Sequence, residues 1–176
     1  MSTPARVSLV VASTLLLLLS TSCSKSTTVN WPGVPFHEVR LYAYNFIIDP
    51  SNPLPPLFNN DGTPHASVIN SPGLRLDHEQ QRRLLEILRS PKEQTEAYGC
   101  GFNPRHAIVF FDDAGKSAAQ MLICFECKVF EEVPEAFDGR KQSLDYARLA
   151  DFMREVGLPV FSSYSEYEAY ARDLKK

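Results

Sequence analysis

Residues 106–124 read HAIVFFDDAGKSAAQMLIC, and this stretch decides the fold. It holds two apolar runs, His106–Phe111 and Lys116–Cys124, on either side of the acidic turn Asp112–Gly115. Runs rich in β-branched and aromatic residues that flank a turn with aspartate and glycine are typical of a β-hairpin. We therefore predict a hairpin at the centre of the fold.

The expected register of this hairpin brings cysteines together at its open end. If Phe111 lies opposite Lys116, then Cys100 falls opposite Cys127, and Cys124 lies close to both. Directly paired Cα atoms of an antiparallel ladder are ~4.5–5.5 Å apart, which is within the span of a disulfide bond. The three thiols are therefore the clearest candidates for a chemical site.

Outside the hairpin, the chain supplies one more strand and several helices. Alternating apolar residues predict a strand over His37–Ile48, whereas six prolines between Asp49 and Gly73 and the acidic stretch Lys128–Gly139 predict loops. Helical periodicity and capping signals predict three helices, over Asp77–Ser90, Ser143–Val156 and Ser165–Leu174. Asp77 and Gln80 are expected to form a capping box at the first, and Ser143 to cap the second. We expect an α+β fold in which a small antiparallel sheet of about three strands, with a central β-hairpin, packs against two or three helices.

Composition limits the classes of function. The chain has 176 residues, of which 44% are hydrophobic and 22% charged, so we expect one packed domain and no wholly disordered chain. The net charge is −3, and no basic stretch stands out. We therefore expect no nucleic acid among the partners.

The first 22 residues have the three-part layout of a secretory signal peptide. Arg6 supplies the positive charge, Val7–Leu19 is an apolar run, and Ser20–Ser22 are small residues suited to cleavage. A permanent membrane helix needs ~20 apolar residues, which is longer than this run. We predict a signal peptide over 1–22, a lipid-anchored tether over 23–35 and a single α+β domain over 36–176.

The segment Leu19–Cys23 resembles the lipobox of bacterial lipoproteins, although Ser20 stands where an aliphatic residue is usual. In that family the cysteine becomes the lipid-modified N-terminus, and Ser24 is similar to the residue that directs lipoproteins to the outer membrane. The resemblance implies that an acylated Cys23 holds the protein in the lipid bilayer of the cell envelope, facing the periplasm. Ordinary cleavage, which yields a soluble secreted or periplasmic protein, is the alternative.

Acylation of Cys23 leaves an odd number of thiols, and three interpretations of them remain open. The first is a disulfide from Cys100 to Cys124 or Cys127, which closes a loop of roughly 25 residues and stabilises the fold by ~3 kcal/mol. The second is a zinc site with the ligand set Cys100, Cys124, Cys127 and His106. The third is a thiol–disulfide oxidoreductase built on the C-x-x-C spacing.

The segment Cys100–Cys127 is similar to a pattern of small uncharacterised bacterial secreted proteins and lipoproteins. That pattern runs C-F-x-P-R-H, then I-C-F-E-C, then a helix that ends in L-G-L-P. Here Gly101 is inserted after the first cysteine, and Val156 stands where leucine is usual. The resemblance implies that the three cysteines act as a unit, but it does not imply any particular reaction.

The sequence lacks several common catalytic motifs. It contains no nucleophile elbow, no H-E-x-x-H and no glycine-rich phosphate loop. We therefore expect an exported, lipid-anchored envelope protein that acts as a structural or binding module, with an envelope protein as the possible partner and no enzymatic activity. A zinc-binding module and a thiol–disulfide oxidoreductase are the alternatives.

Overall fold

The computed structural model describes residues 31–44, 55–90, 102–133, 144–161 and 163–173. Within them lie five strands, β1 to β5, and three helices, α1 to α3. The strands are β1 Glu38–Ala43, β2 Leu74–Arg75, β3 His106–Phe111, β4 Ser117–Cys124 and β5 Val129–Val133; the helices are α1 His78–Leu88, α2 Tyr146–Glu155 and α3 Tyr164–Asp173. The strands form one antiparallel sheet in the order β2-β1-β3-β4-β5. The predicted α+β fold class is confirmed.

The central hairpin, β3 and β4, forms as predicted but in a different register. A bulge lies at the end of β3, so Phe111 pairs with Ser117 and His106 pairs with Ile123, which is two residues from the predicted register. The turn is wider than expected because the side chain of Asp112 accepts the backbone N–H of Lys116 at 2.8 Å. An aspartate side chain that accepts backbone N–H groups of residues later in the turn stabilises the turn locally.

The sheet has two strands that were not predicted, and one of them, β5, lies in a segment that was predicted to be a loop. β5 occupies part of the acidic stretch Lys128–Gly139 and pairs along its length with β4. β2 follows the prolines and pairs with β1 through Arg40–Arg75 and Leu41–Leu74. The loop prediction was wrong for β5 because its acidic residues obscured the two-residue period that Phe130 and its neighbours follow.

The helix starts follow from capping residues. The predicted capping box of α1 is confirmed, since the side chain of Asp77 accepts the N–H of Gln80 at 2.8 Å and the Gln80 side chain accepts the N–H of Asp77 at 2.9 Å. For α2, Asp145 is the cap and accepts the N–H of Arg148 at 3.2 Å. The predicted cap, Ser143, lies outside the described residues.

The end of α2 is fixed by a glycine. Gly157 has φ +95°, and the N–H of Leu158 donates to the carbonyl of Met153 at 2.8 Å. This Schellman arrangement favours glycine because a Cβ is strained at positive φ. It turns the chain back toward the sheet, so that Leu158 enters the core.

One face of the sheet, which we call the first face, carries the larger core. Its buried strand residues pack with α1 and α2; they are Val39, Leu41, Ile108, Phe110, Met121 and Ile123. Trp31 belongs to the same core, with its ring 5.1 Å from that of Phe110 in an edge-to-face contact. Trp31, which lies within the predicted tether 23–35, is therefore part of the packed core.

The opposite face, which we call the second face, is covered in part by the proline-rich segment. Leu57 and Val68 from this segment pack on Tyr42 of β1 and on Tyr44, which directly follows β1. Helices therefore cover one face of the sheet and an irregular segment the other. The prolines explain how a segment without regular structure holds its shape, since each proline fixes one backbone torsion.

Gly73 lies close against the ring of Tyr42 in β1. Its φ is +101°, and an added Cβ would lie 2.6 Å from the Tyr42 ring. We expect Gly73→Ala to lower the free energy of unfolding by about 2 kcal/mol through backbone strain and overpacking together. Gly62→Ala is the control, because Gly62 has φ +82° but no atom within 4 Å of the added Cβ. Equal urea midpoints for the two variants would contradict the clash.

Candidate functional site

The two described cysteines lie together at the turn between β4 and β5. Cys124 ends β4 as a buried free thiol, and its Sγ accepts the backbone N–H of Cys127 at 3.4 Å. Cys127 is also buried, and it is disulfide-bonded to a cysteine outside the described residues. The free state of Cys124 makes the predicted alternative of a Cys100–Cys124 disulfide wrong. Cys100 and Cys23 both lie outside the described residues.

His106 is completely buried at the end of β3 that lies nearest these cysteines. Its Nε2 lies 2.9 Å from the carbonyl of Pro159, and a carbonyl can only accept, so Nε2 carries the proton. Its ring lies 5.0 Å from that of Phe125 and stacks 6.0 Å from that of Phe161. Burial lowers the pKa of His106 to about 4, although the bond to Pro159 opposes the shift. The imidazole is therefore held neutral.

The sheet register separates His106 from the thiol of Cys124. His106 pairs with Ile123, and successive side chains of a strand point to opposite faces, so Cys124 faces away from the histidine. Of the predicted zinc ligand set, Cys100, Cys124, Cys127 and His106, the described structure therefore places Cys124 and His106 on opposite faces of the sheet, and Cys100 lies outside the described residues. Across the described ranges, no group of three histidine, cysteine or acidic residues is placed to hold a metal ion.

Arg105 is a buried cation that the sequence pattern does not single out. The residue is 5% exposed, and its guanidinium carbon lies 3.4 Å from the ring centroid of Tyr167 and 5.3 Å from that of Tyr164. Cation–π contacts of a desolvated guanidinium contribute ~2 kcal/mol or more. The spacing of the tyrosines, one helical turn apart in α3, was the available signal. Arg105 therefore holds α3 against the end of the sheet.

A cleft of about 360 Å³ opens on the second face, between β4, β5 and the segments 55–58 and 102–104. Its lining is apolar and polar in nearly equal parts; Leu57, Phe102 and Leu122 are among the apolar residues, and Glu131 is one of the polar ones. Such a volume is within the usual range for ligand sites. The sequence pattern did not indicate this cleft, because it depends on β5, which was predicted to be a loop.

Tyr44 lies in the floor of the cleft and is 1% exposed. Its hydroxyl is buried and has no hydrogen-bond partner among the described residues. Burial raises the pKa of Tyr44 well above its ordinary value, and the nearby carboxylate of Glu131 raises it further. The hydroxyl therefore stays protonated and uncharged.

Comparisons with known proteins add no assignment. None of the described helices has both the length and the apolar character needed to cross a bilayer. No protein-family model, no curated protein and no solved structure matches the chain.

Proposed function

We propose that this chain is an exported protein of the bacterial cell envelope, anchored by lipid on Cys23, whose folded domain is a structural or binding module. The observation that carries the proposal is the disulfide at Cys127. Stable disulfides are typical of oxidising compartments outside the cytoplasm. The signal-like residues 1–22 and the lipobox-like segment that ends at Cys23 support the same location. Because Ser24 follows this cysteine, we place the protein on the periplasmic side of the outer membrane.

Within this proposal, Cys100 is the partner of Cys127. Only four cysteines are present, Cys124 is free, and an acylated Cys23 has no thiol left to oxidise. The bond ties the chain before β3 to the turn after β4, and closing a loop of roughly 25 residues stabilises the fold by ~3 kcal/mol in the chain-entropy model. The disulfide therefore has a structural role.

The described geometry favours a binding or structural module over a thiol oxidoreductase. Cys124 is 2% exposed, whereas reactive thiols are partly exposed and lie in electropositive surroundings. His106 faces the other side of the sheet, and its protonated nitrogen is bonded to Pro159. Neither group is placed to activate the other.

The intact mass of the protein purified from membranes tests the anchor and the thiols together. We expect a chain that begins at Cys23, carries lipid, and is lighter by two hydrogen atoms than its reduced form. The variant Cys23→Ala should leave the membrane fraction and appear in soluble extracts, while the control Thr27→Ala should remain in the membrane. An unmodified mass, a bound zinc ion or retention in the cytoplasm would each overturn the proposal.

A further inference from the structure

The second face of the sheet continues from the cleft onto an exposed strip of β5. The strip consists of Val129, Glu131 and Val133, which share one face because they alternate along the strand. The two valines are 37% and 57% exposed, and they are two of the three large apolar side chains that the described residues expose. Together with the cleft, these valines form a candidate interaction surface.

The cleft and the strip are one continuous surface. Glu131 pairs directly with Leu122, and both residues line the cleft. In the same cross-strand row, Leu122 pairs with the buried Ala107. The opposite wall contains Pro55 and Pro56. Prolines reduce the conformational entropy that a wall loses on binding, so this surface is preformed.

The charge of this surface has one sign. Among the described residues that line the cleft, Glu131 is the only charged one, and no ion pair joins it to another residue in those ranges. An exposed carboxylate between two valines is complementary to a cation between two apolar groups. Nucleic acid and anionic lipid have the wrong charge for this surface. A second copy of the chain would place Glu131 near its own counterpart in a two-fold contact, which is unfavourable.

We propose that this surface binds a polypeptide segment that carries a lysine or arginine between apolar side chains. The strip from Val129 to Val133 spans ~13 Å at ~3.3 Å per residue, which suits a segment of three or more residues. The basic side chain meets Glu131, one apolar side chain enters the cleft against Leu122, and another packs on Val133. This inference rests on the proposed function as a binding module and names the chemistry of its partner.

Three blocked tripeptides test the proposal: acetyl-Leu-Lys-Phe-amide and its counterparts with glutamine or glutamate in the middle. Each is titrated into the mature, isotope-labelled protein in non-ionic detergent while backbone amide shifts are followed. We expect the lysine peptide to bind roughly five- to tenfold more tightly than the glutamate peptide, since one pair is attractive and the other repulsive. The shifts should centre on Gln120, Leu122 and Glu131.

Two substitutions at exposed positions test where the peptide binds without disturbing the fold. Glu131→Gln should weaken the lysine peptide about threefold and leave the glutamine peptide unchanged. Val133→Ser should weaken all three peptides. The control Glu126→Gln removes the same charge from an exposed turn position and should change nothing.

The possible results separate this inference from the proposed function. Equal binding of the three peptides, absence of saturable shifts, or shifts that Glu131→Gln leaves unchanged would each overturn the inference. A protein that selects the lysine peptide but carries no lipid would overturn the anchor and leave the peptide site standing. A lipidated protein that binds none of the peptides would do the reverse.

Discussion

Between pH 6.5 and pH 4 the protein is expected to lose about 3 kcal/mol of its free energy of unfolding through His106 alone. Burial lowers the pKa of His106 to about 4 in the folded chain, against 6.5 for a free imidazole. The unfolded chain therefore binds the proton first. The stability is complete above pH 6.5, falls by about 1.4 kcal/mol per pH unit below it, and levels off below pH 4.

Urea unfolding followed by Trp31 fluorescence measures this loss, because Trp31 is the only tryptophan and is buried in the core. The variant His106→Gln keeps a donor for the carbonyl of Pro159 but cannot titrate. We expect it to be less stable at pH 7 and to show a flatter slope between pH 6.5 and pH 5. The control His78→Gln, at an exposed helix start, should keep the wild-type slope. Parallel slopes for all three proteins would contradict the assignment.

Cys127→Ser is expected to lower the free energy of unfolding of the oxidised protein by about 3 kcal/mol, with 2–5 kcal/mol usual for a native disulfide. The loss comes from the loop that the bond at Cys127 closes in the unfolded chain. A reducing agent should bring the wild type down to the level of the variant. Urea midpoints with and without the reducing agent measure both effects.

The matched control for this experiment is Cys124→Ser. Cys124 is as buried as Cys127 but is a free thiol, so its replacement tests the burial of a hydroxyl without the loss of a bond. We expect Cys124→Ser to remain sensitive to the reducing agent and Cys127→Ser to be insensitive. If Cys124→Ser abolished the sensitivity instead, the bond would join a different pair of cysteines.

Local signals in the sequence were sufficient to predict most helices and strands but not the register in which the strands pair. The hairpin and the capping box of Asp77 were predictable because turn residues and caps act over three or four positions. The register was not, because it depends on a bulge and on the side-chain bond of Asp112, which shift the strands by two residues. Strand β5 was missed because its pairing with β4, and not its own composition, makes it a strand.

The candidate site was predictable only in part, for the same reason. The neighbouring positions of Cys124 and Cys127 follow from their spacing in the chain. Which face of the sheet each side chain occupies depends instead on the strand register, which differs by two residues from the predicted one, and on the alternation of side chains along a strand. His106 was therefore a reasonable zinc ligand by sequence and is a buried neutral ring in the structure. The cleft beside Glu131 forms where segments that are far apart in the sequence come into contact, and no local sequence pattern indicates such a contact.

The position of Trp31 limits how far the folded domain can lie from the proposed lipid anchor. The ring packs against Phe110, and Trp31 lies only eight positions after Cys23 in the chain. Even a fully extended chain of that length reaches about 29 Å, at ~3.6 Å per residue. With lipid on Cys23, the domain stays within one bilayer thickness of the headgroups. Partners held in the same leaflet would then meet it by lateral diffusion, at a local concentration far above that of a freely dissolved protein.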